Sequence, residues 1–452
     1  MPTLLPSLLG GIYGPVKDGS HYFSNLSGLS PPAGDKANFN LVDVVAFGNA
    51  CIDILLPSAI VPSAETCKSR SALAHLAATA PREESWEVGG SCNFIIASSR
   101  IGLRCACVGH AGPDRYGAFL TKVLAEENIK FHRLISPDDP GCPESTSERT
   151  LVCFVLTDGE GNHAFCSRYD LGPWPLLGGV SEVDNIASQA LSNSSAIFVN
   201  GFIFDELEDA AVRAALITAK ENGAAVFFDP GPRASMFLMD SERAGALRNI
   251  LAIANVVLAT LDEAKTLVNL YMRRDSRSQY DELTDASQQS SKARLLARVL
   301  LEDSRCGAEW VVIKCGPHGA AIFTKDGFEA WAGSPFVPVR DTVGCGDSAA
   351  AAIVLGYLNI ERARRRDMKD TVLDYVSNST LLDMLEETLT LATTIGAATA
   401  MGDGAGRNVA TAEVVRTLLS RNDKGRKYGL RIDVDAAMRA KNLLEGSVAN
   451  YK

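Results

Sequence analysis

Six short apolar runs, separated by amphipathic stretches, constrain the fold of this chain more than any other feature. They are VDVVAFG (42–48), CACVGHAG (105–112), AIFVNGF (196–202), AAVFFDPG (224–231), NVVLAT (255–260) and EWVVIKCG (309–316). Each is short and carries β-branched or aromatic residues, and most end at Gly or Asp, so they read as strands buried on both faces. RYGAFLTKVLAEEN and EDAAVRAALITAKENG, between these runs, have the periodicity of amphipathic helices. Strands alternating with helices predict an α/β fold, an αβα sandwich with a mostly parallel central sheet. At 452 residues, 46% of them hydrophobic, the chain can bury one large core of this kind and still carry insertions.

Two regions break the rhythm. Residues 54–88 follow the first strand without a clear pattern, and ERTLVCFVLTDGEGNHAFCSRYD (148–170) reads as a β-hairpin turning at DGEG. Together they predict a small β-layer over one end of the sheet. Polar stretches at about 273–291 and 362–379 read as surface inserts, and the RARRR run that opens the second reads as a solvated helix face. Residues 1–40, rich in Gly, Pro and Ser, read as a poorly ordered leader, which leaves 41–452 as the folded unit. The leader has no basic start ahead of an apolar core and no arginine, which sets the cytoplasm ahead of a plastid or mitochondrion as the expected location.

Composition removes several function classes. A formal charge of -10 disfavours non-specific nucleic-acid binding. The eleven cysteines form no CxxC pair or zinc spacing and are expected as free thiols in a reducing compartment. No apolar run reaches the roughly 18 residues of a membrane span. There is no GxxxxGK[ST] and no HExxH. GDGAG (402–406) looks like half a dinucleotide fingerprint, but it follows a helical segment rather than a strand.

In open α/β sheets, ligands bind beyond the carboxyl ends of the strands. Asp53, Gly89, Gly90, Asn200, Asp229 and the stretch DTVGCGD (341–347) all lie at or just past expected strand ends, so they can converge on one crevice. Gly344, Cys345 and Gly346 precede a run of small apolar residues that reads as a helix. Glycines let consecutive N–H groups turn toward one point, and a helix N-terminus adds positive partial charge. Such a turn suits a phosphate. Asp347 then has two readings: a base that takes a proton from an attacking hydroxyl, or an N-cap. GGSCN (89–93) has two as well, a close approach to a ligand with Asn93 offering its amide, or a turn with a capping Asn. Arg233, in FDPGPR, reads as a surface residue rather than a contact for substrate phosphate.

GGSCNFIIASSRIGLRCACVGHAGPDRYG (89–117) resembles the first signature of the PfkB, or ribokinase-like, family of carbohydrate kinases. DTVGCGD resembles the second, DTxGAGD, with Cys345 in the alanine place, and the two stand in the family's order. VVAFGNACIDILL resembles the opening strand with its substrate-binding aspartate, here Asp53. The likeness runs over about 42–415.

It implies a ribokinase-like αβα core with a β-lid (54–88 and 148–170) and ATP-dependent phosphorylation of a hydroxyl, usually a hydroxymethyl. By position, Asp347 is the base and Gly344, Cys345 and Gly346 form the anion hole. Asp53, Gly89, Gly90, Asn93 and Asn200 face the acceptor. TLDEA (260–264) stands in place of NxxE, so Glu263 acts on magnesium through water while Thr260 replaces the asparagine. Lys314, Gly316 and Gly319 fall in the nucleotide-side loop, Thr393 and Gly402 beside adenine, and Asp341 and Val343 where some members bind a monovalent cation such as K+. The resemblance thus implies ATP, Mg2+ and a small-molecule acceptor, with no nucleic acid or membrane partner, in a monomer or a homodimer paired through the lid. Sugar kinase, nucleoside kinase and idle scaffold are the functions open at this point. Retention of Asp347, Gly344 and Gly346 favours activity.

Overall fold

The computed structural model describes residues 42–58, 61–79, 81–134, 149–158, 163–177, 183–239, 241–271, 289–367, 377–404, 406–421 and 433–451. The expected leader lies outside them, as does the greater part of the expected insert at 273–291.

The strands, in chain order, are β1 (Val42–Phe47), β2 (Ala50–Pro57), β3 (Trp86–Gly90), β4 (Cys105–Gly109), β5 (Lys130–Arg133), β6 (Val152–Thr157), β7 (His163–Ser167), β8 (Ser194–Asn200), β9 (Ala225–Asp229), β10 (Val256–Thr260), β11 (Trp310–Lys314), β12 (Ala320–Thr324) and β13 (Glu329–Ala332). Nine of them form one sheet in the order β13-β12-β11-β10-β9-β8-β1-β4-β5. It is parallel from β11 to β5, with β12 and β13 added antiparallel at one edge. All six predicted runs are strands of this sheet.

Helices cover both faces. Along β1, Val44 and Ala46 join one apolar core with Phe94, Phe198 and Ile353, while Val45 and Phe47 join another with Leu216, Leu247 and Leu296. This period-2 division puts a strand of continuous apolar character at the centre of a three-layer sandwich. The helices that matter for the site are α1 (Ser91–Arg100), α2 (Leu261–Tyr271), α3 (Cys345–Asp367), α4 (Asn378–Thr399) and α5 (Val434–Tyr451). Phe94 of α1 stacks on Phe198 of β8, their ring centroids 3.9 Å apart, which fixes α1 against the sheet.

Asp53, expected at or just past the end of the opening strand, lies inside a second strand. Gly48 (φ 79°) and Asn49 (φ 53°) both take left-handed backbone, so the chain turns sharply out of β1 and β2 enters a second, four-stranded sheet, β3-β2-β6-β7. Asp53 therefore stands in mid-strand, opposite Glu87 on one side and Cys153 on the other. Between β2 and β3 lie two short helices, Ala64–Cys67 and Arg70–Ala78, which the irregular pattern of 54–88 had concealed. β6 and β7 form the predicted hairpin, with Thr157 opposite His163 and residues 159–162 of its turn outside the described set.

Of the expected insert at 362–379, residues 368–376 lie outside the described set. Arg362 to Asp367 continue α3, and α4 starts at Asn378. The arginine run is a half-exposed helix face whose Arg362 and Arg364 pair with Asp43 and Glu361. Among the described residues, no helix is long and apolar enough to cross a membrane, and the ten cysteines are unpaired thiols.

Candidate active site

Four neighbouring strands of the large sheet end in polar residues: Asn200 on β8, Asp229 on β9, Thr260 on β10 and Lys314 on β11. Register aligns them, with Asn200 opposite Asp229 and Thr260 opposite Lys314. The carboxyl edge of the sheet is thus a row of functional groups, as the topology predicts. The Lys314 ammonium pairs with Asp229 Oδ2, and Asp229 Oδ1 accepts the Gly231 N–H at 3.0 Å. Burial alone would lower the Lys314 pKa, but Asp229 and Glu263 beside it lift it above its ordinary value.

Facing this row is the turn that opens α3. Gly344 has φ 78°, and the helix begins at Cys345. The N–H groups of Gly346 and Asp347 therefore fall in the first turn, where no helical carbonyl lies behind them. Asp341 Oδ1 accepts the Val343 N–H at 2.8 Å and holds the turn in shape. A Cβ on Gly346 would stand 3.5 Å from Lys314 Nζ, so the ammonium lies against the glycine turn. Donors from turn and lysine thus converge where an anion can sit.

The capping reading of Asp347 does not hold. Its Oδ2 accepts a hydrogen bond at 3.2 Å from Asn93 Nδ2, 254 residues away in the chain. Burial, reinforced by nearby Asp229, pushes the Asp347 carboxyl up to about 6 against the pull of Lys314 and the Asn93 bond. A buried carboxylate poised there, beside an anion cradle, can accept a proton near neutral pH.

The small sheet and α1 wall one side of the Asp347 carboxylate. Asp53 is buried, and burial, reinforced by Asp347 and Glu87, pushes its carboxyl up to about 7 against the Cys51 hydrogen bond. Gly89 is required there, since a Cβ would lie 2.2 Å from the Asp53 carboxylate. The Asn93 side chain is tied to two protein partners. Its Nδ2 holds Asp347, and its Oδ1 accepts the Gly406 N–H at 2.8 Å. Asn200 donates to Asn49 Oδ1 at 2.9 Å and to Ser91 Oγ at 3.2 Å, so it too is committed to protein.

Several residues here escaped the sequence reading. The Asn49 N–H donates to Glu206 Oε2 at 2.7 Å, and Tyr169 Oη donates to Oε1 at 2.6 Å. Burial pushes fully enclosed Glu206 up to about 7. Arg407 is bound to Glu87, the cross-strand neighbour of Asp53, and so fastens the 402–408 loop to β3. The glycines of GDGAG, set aside as a nucleotide fingerprint, were the one signal for this loop: Gly404 (φ 89°) and Gly406 (φ 65°) are both left-handed. Arg233 is not on the surface. It is 5% exposed and bound by Asp170 and Asp205, with its guanidinium 4.4 Å from the Phe202 ring centroid.

On the other side of the turn is a cavity of about 410 Å³ lined by Lys314, Gly316, Gly319, Cys345, Gly346 and Thr393, among mostly apolar neighbours. Two residues expected at the nucleotide do not line it. Gly402 packs under Asn408 O. Thr260 forms a capping box for α2: its N–H donates to Glu263 Oε2 at 2.7 Å, and its Oγ1 accepts the Glu263 N–H at 3.3 Å. This bond uses one carboxylate oxygen of Glu263, whose pKa burial raises.

Comparison with known proteins agrees with this arrangement. The family described as pfkB family carbohydrate kinase matches residues 76–412. Among curated proteins, 5-dehydro-2-deoxygluconokinase 2 of Bacillus cereus is 23% identical over 320 residues, 70% of this chain and 83% of that protein. Among solved structures, adenosine kinase from Sinorhizobium meliloti superimposes with a TM-score of 0.58 at 18% identity, over 84% of this chain and 99% of that one. Arabidopsis thaliana ribokinase, complexed with ribose and ATP, gives 0.55 at 15% identity, over 85% and 100%. The structural likenesses show the shared fold, and the family match shows the rest: the chain belongs to the pfkB family of carbohydrate kinases, ATP-dependent phosphotransferases that act on an alcohol group.

Proposed function

We propose that Asp347 is the general base of this kinase, taking the proton from an acceptor hydroxyl as that oxygen attacks the γ-phosphoryl group of ATP. The observation that carries the reading is the Asp347 carboxylate itself: buried, held by Asn93 rather than by its own helix end, and one residue from a glycine turn backed by Lys314. Asn93 positions the base. The N–H groups after Gly344 and the Lys314 ammonium offset charge developing on the transferring group. Glu263 and Asp229, with lone pairs beyond their protein bonds, suit a magnesium ion held through water. Bound there, Mg2+ would neutralise charge on the phosphates. Gly316, Gly319 and Thr393 would flank the nucleoside in the apolar cavity. Asp341 and Val343 would bind K+, and the small sheet would act as the lid.

The acceptor we infer is a neutral sugar or sugar-like polyol. Asp53, buried beside Gly89, would accept from its hydroxyls. The side chains around that crevice favour an uncharged ligand, since Arg233 and Arg407 are both bound to carboxylates. A screen of neutral sugars, sugar acids and nucleosides for ATP consumption tests this, with Asp347→Asn as the control. A neutral sugar should be phosphorylated, and Asp347→Asn should bind both substrates yet turn over about 100-fold more slowly or worse. Exclusive use of nucleosides or acids would overturn the acceptor class, and near-normal kcat in the variant would overturn the base.

A further inference from the structure

A second cavity, about 710 Å³, lies at the other end of the sheet. Its walls include Asp43 at the start of β1 and Arg104 just before β4, the amino ends of strands whose carboxyl ends carry the active site. The remaining walls come from α3 (Leu355, Asn359, Arg362), α4 (Glu387) and α5 (Arg439, Asn442, Ser447). The catalytic proposal uses none of these residues.

The chemistry of the lining points to an anion. One buried carboxylate, Asp43, holds two guanidinium groups: Arg104 through Nε and Nη2 at 3.0 and 3.1 Å, and Arg362 through Nη2 at 2.8 Å. Two positive charges thus share one negative charge, and both arginine side chains stay about half exposed, at 55% and 50%. Nη1 of Arg104 and Nε and Nη1 of Arg362 make no hydrogen bond among the described residues. Anchored guanidinium groups with spare N–H donors match phosphate oxygens well. Asn359, Asn442 and Ser447 add neutral polar groups for hydroxyls. The second acid in the lining, Glu387, is on α4, and Arg439 pairs with Asp383 and Glu386 while its buried Nε has no partner among the described residues. The wall is closely built: a Cβ on Gly102 (φ 90°) would lie 2.6 Å from the Ser447 carbonyl carbon.

The two cavities share two helices. α3 contributes Cys345, Gly346, Ala349, Ala350 and Ile353 to the nucleotide cavity and Leu355, Asn359 and Arg362 to this one, Arg362 lying about 14 Å beyond Ile353 along the axis at 1.5 Å per residue. α4 contributes Thr393 and Gly396 to the first and Glu387 to the second. Between the cavities the helices touch at Gly356, where a Cβ would stand 2.0 Å from Thr388 Oγ1. Contact that close transmits a displacement of one helix to the other.

We propose that this cavity is a second ligand site, which takes a small organic phosphate and alters turnover through α3 and α4. The binding half stands independently of the catalytic reading above. Inorganic phosphate, pyrophosphate and glucose 6-phosphate would each be titrated by calorimetry against the full-length protein, its nucleotide site filled with a non-hydrolysable ATP analogue. At least one should bind. Asn442→Asp, which places a negative charge at an exposed position of the lining without removing a described hydrogen bond, should weaken binding about tenfold. Arg362→Gln should do the same, with Arg362→Lys intermediate. The bound probe should change kcat or the KM for ATP about fivefold in the wild-type enzyme, and Asn442→Asp should need about tenfold more probe for the same change. Absence of binding by all three probes, or equal binding by wild type and Asn442→Asp, overturns the site. Binding with unchanged kinetics overturns the coupling to catalysis.

Discussion

On the acceptor side of Asp347 the crevice is polar and already committed. Asp53, Asn49, Asn93, Asn200 and Glu206 are all buried, and hydrogen bonds tie Tyr169 through Glu206, Asn49 and Asn200 to Ser91. On the nucleotide side the wall is mostly apolar, lined by residues such as Val312, Ala349, Ile353, Ala392 and Ala397, with Phe336 and Val339 at 57% and 62% exposure. On the proposed reading, the two halves would recognise their ligands by different means. A buried polar group left without its partner costs about 1–3 kcal/mol, so on the proposed reading Asp53, held among the described residues only by Cys51 Sγ, is the group that would reject an analogue lacking its hydroxyl partner. The apolar half reads shape, and a single missing contact there costs less.

Substitutions that unsettle one half and spare the other put this contrast at risk. Asp53→Ala removes an acceptor partner and should lower kcat/KM for the sugar about 10- to 100-fold. The KM for ATP should stay near the wild-type value, and steady-state kinetics with each substrate varied in turn would reveal an equal loss on both sides if the halves were not separate. Ala397→Leu should show the reverse pattern. Filling part of the apolar cavity should raise the KM for ATP about tenfold, the usual penalty for overpacking, and leave the acceptor KM alone. Glu263→Gln should have the smallest effect. Gln at this position retains the capping box with Thr260, so thermal stability should hold, while the magnesium needed for half-maximal rate rises about two- to threefold. An unchanged magnesium titration would remove Glu263 from the metal.

The same contrast governs what could be read from the sequence. The parallel core was legible because β1, β4, β8, β9, β10 and β11 are short, apolar and punctuated by Gly or Asp. The edges were not. β5 (KFHR) is polar and partly exposed, and β13 (EAWA) is too short and mixed to carry a signal. The end of β1 at Gly48 was legible, but β2 begins two residues later, too soon to show as a strand of a second sheet. At the site, residues that act through local backbone, such as Gly344 and Gly346, stood out because glycine spacing is itself the device. Asn49, Tyr169, Glu206 and Arg407 did not, because each matters through a partner remote in sequence: Asn49 and Glu206 are 157 residues apart, Arg407 and Glu87 320. Asn93 shows the limit most plainly. Its position was legible, but its hydrogen bond to Asp347, 254 residues away, exists only in the fold.

The central claim is that Asp347 works as a base from a buried site that holds its carboxyl at about 6. The most direct test is the pH profile of kcat/KM for the identified sugar, measured in wild type, Asp53→Asn and Asp347→Asn. A base must be ionised to act, so the wild-type rate should fall as pH drops through the region of 6 to 7, a limb that belongs jointly to the coupled Asp53 and Asp347 carboxyls. Asp53→Asn should keep the acid limb near 6 and lose the step near 7, because Asp53, the higher of the pair, is already largely protonated where Asp347 titrates. Asp347→Asn should have residual activity with the base's limb gone. An Asp347→Asn profile that falls in acid as the wild type does, at a comparable rate, would contradict the account.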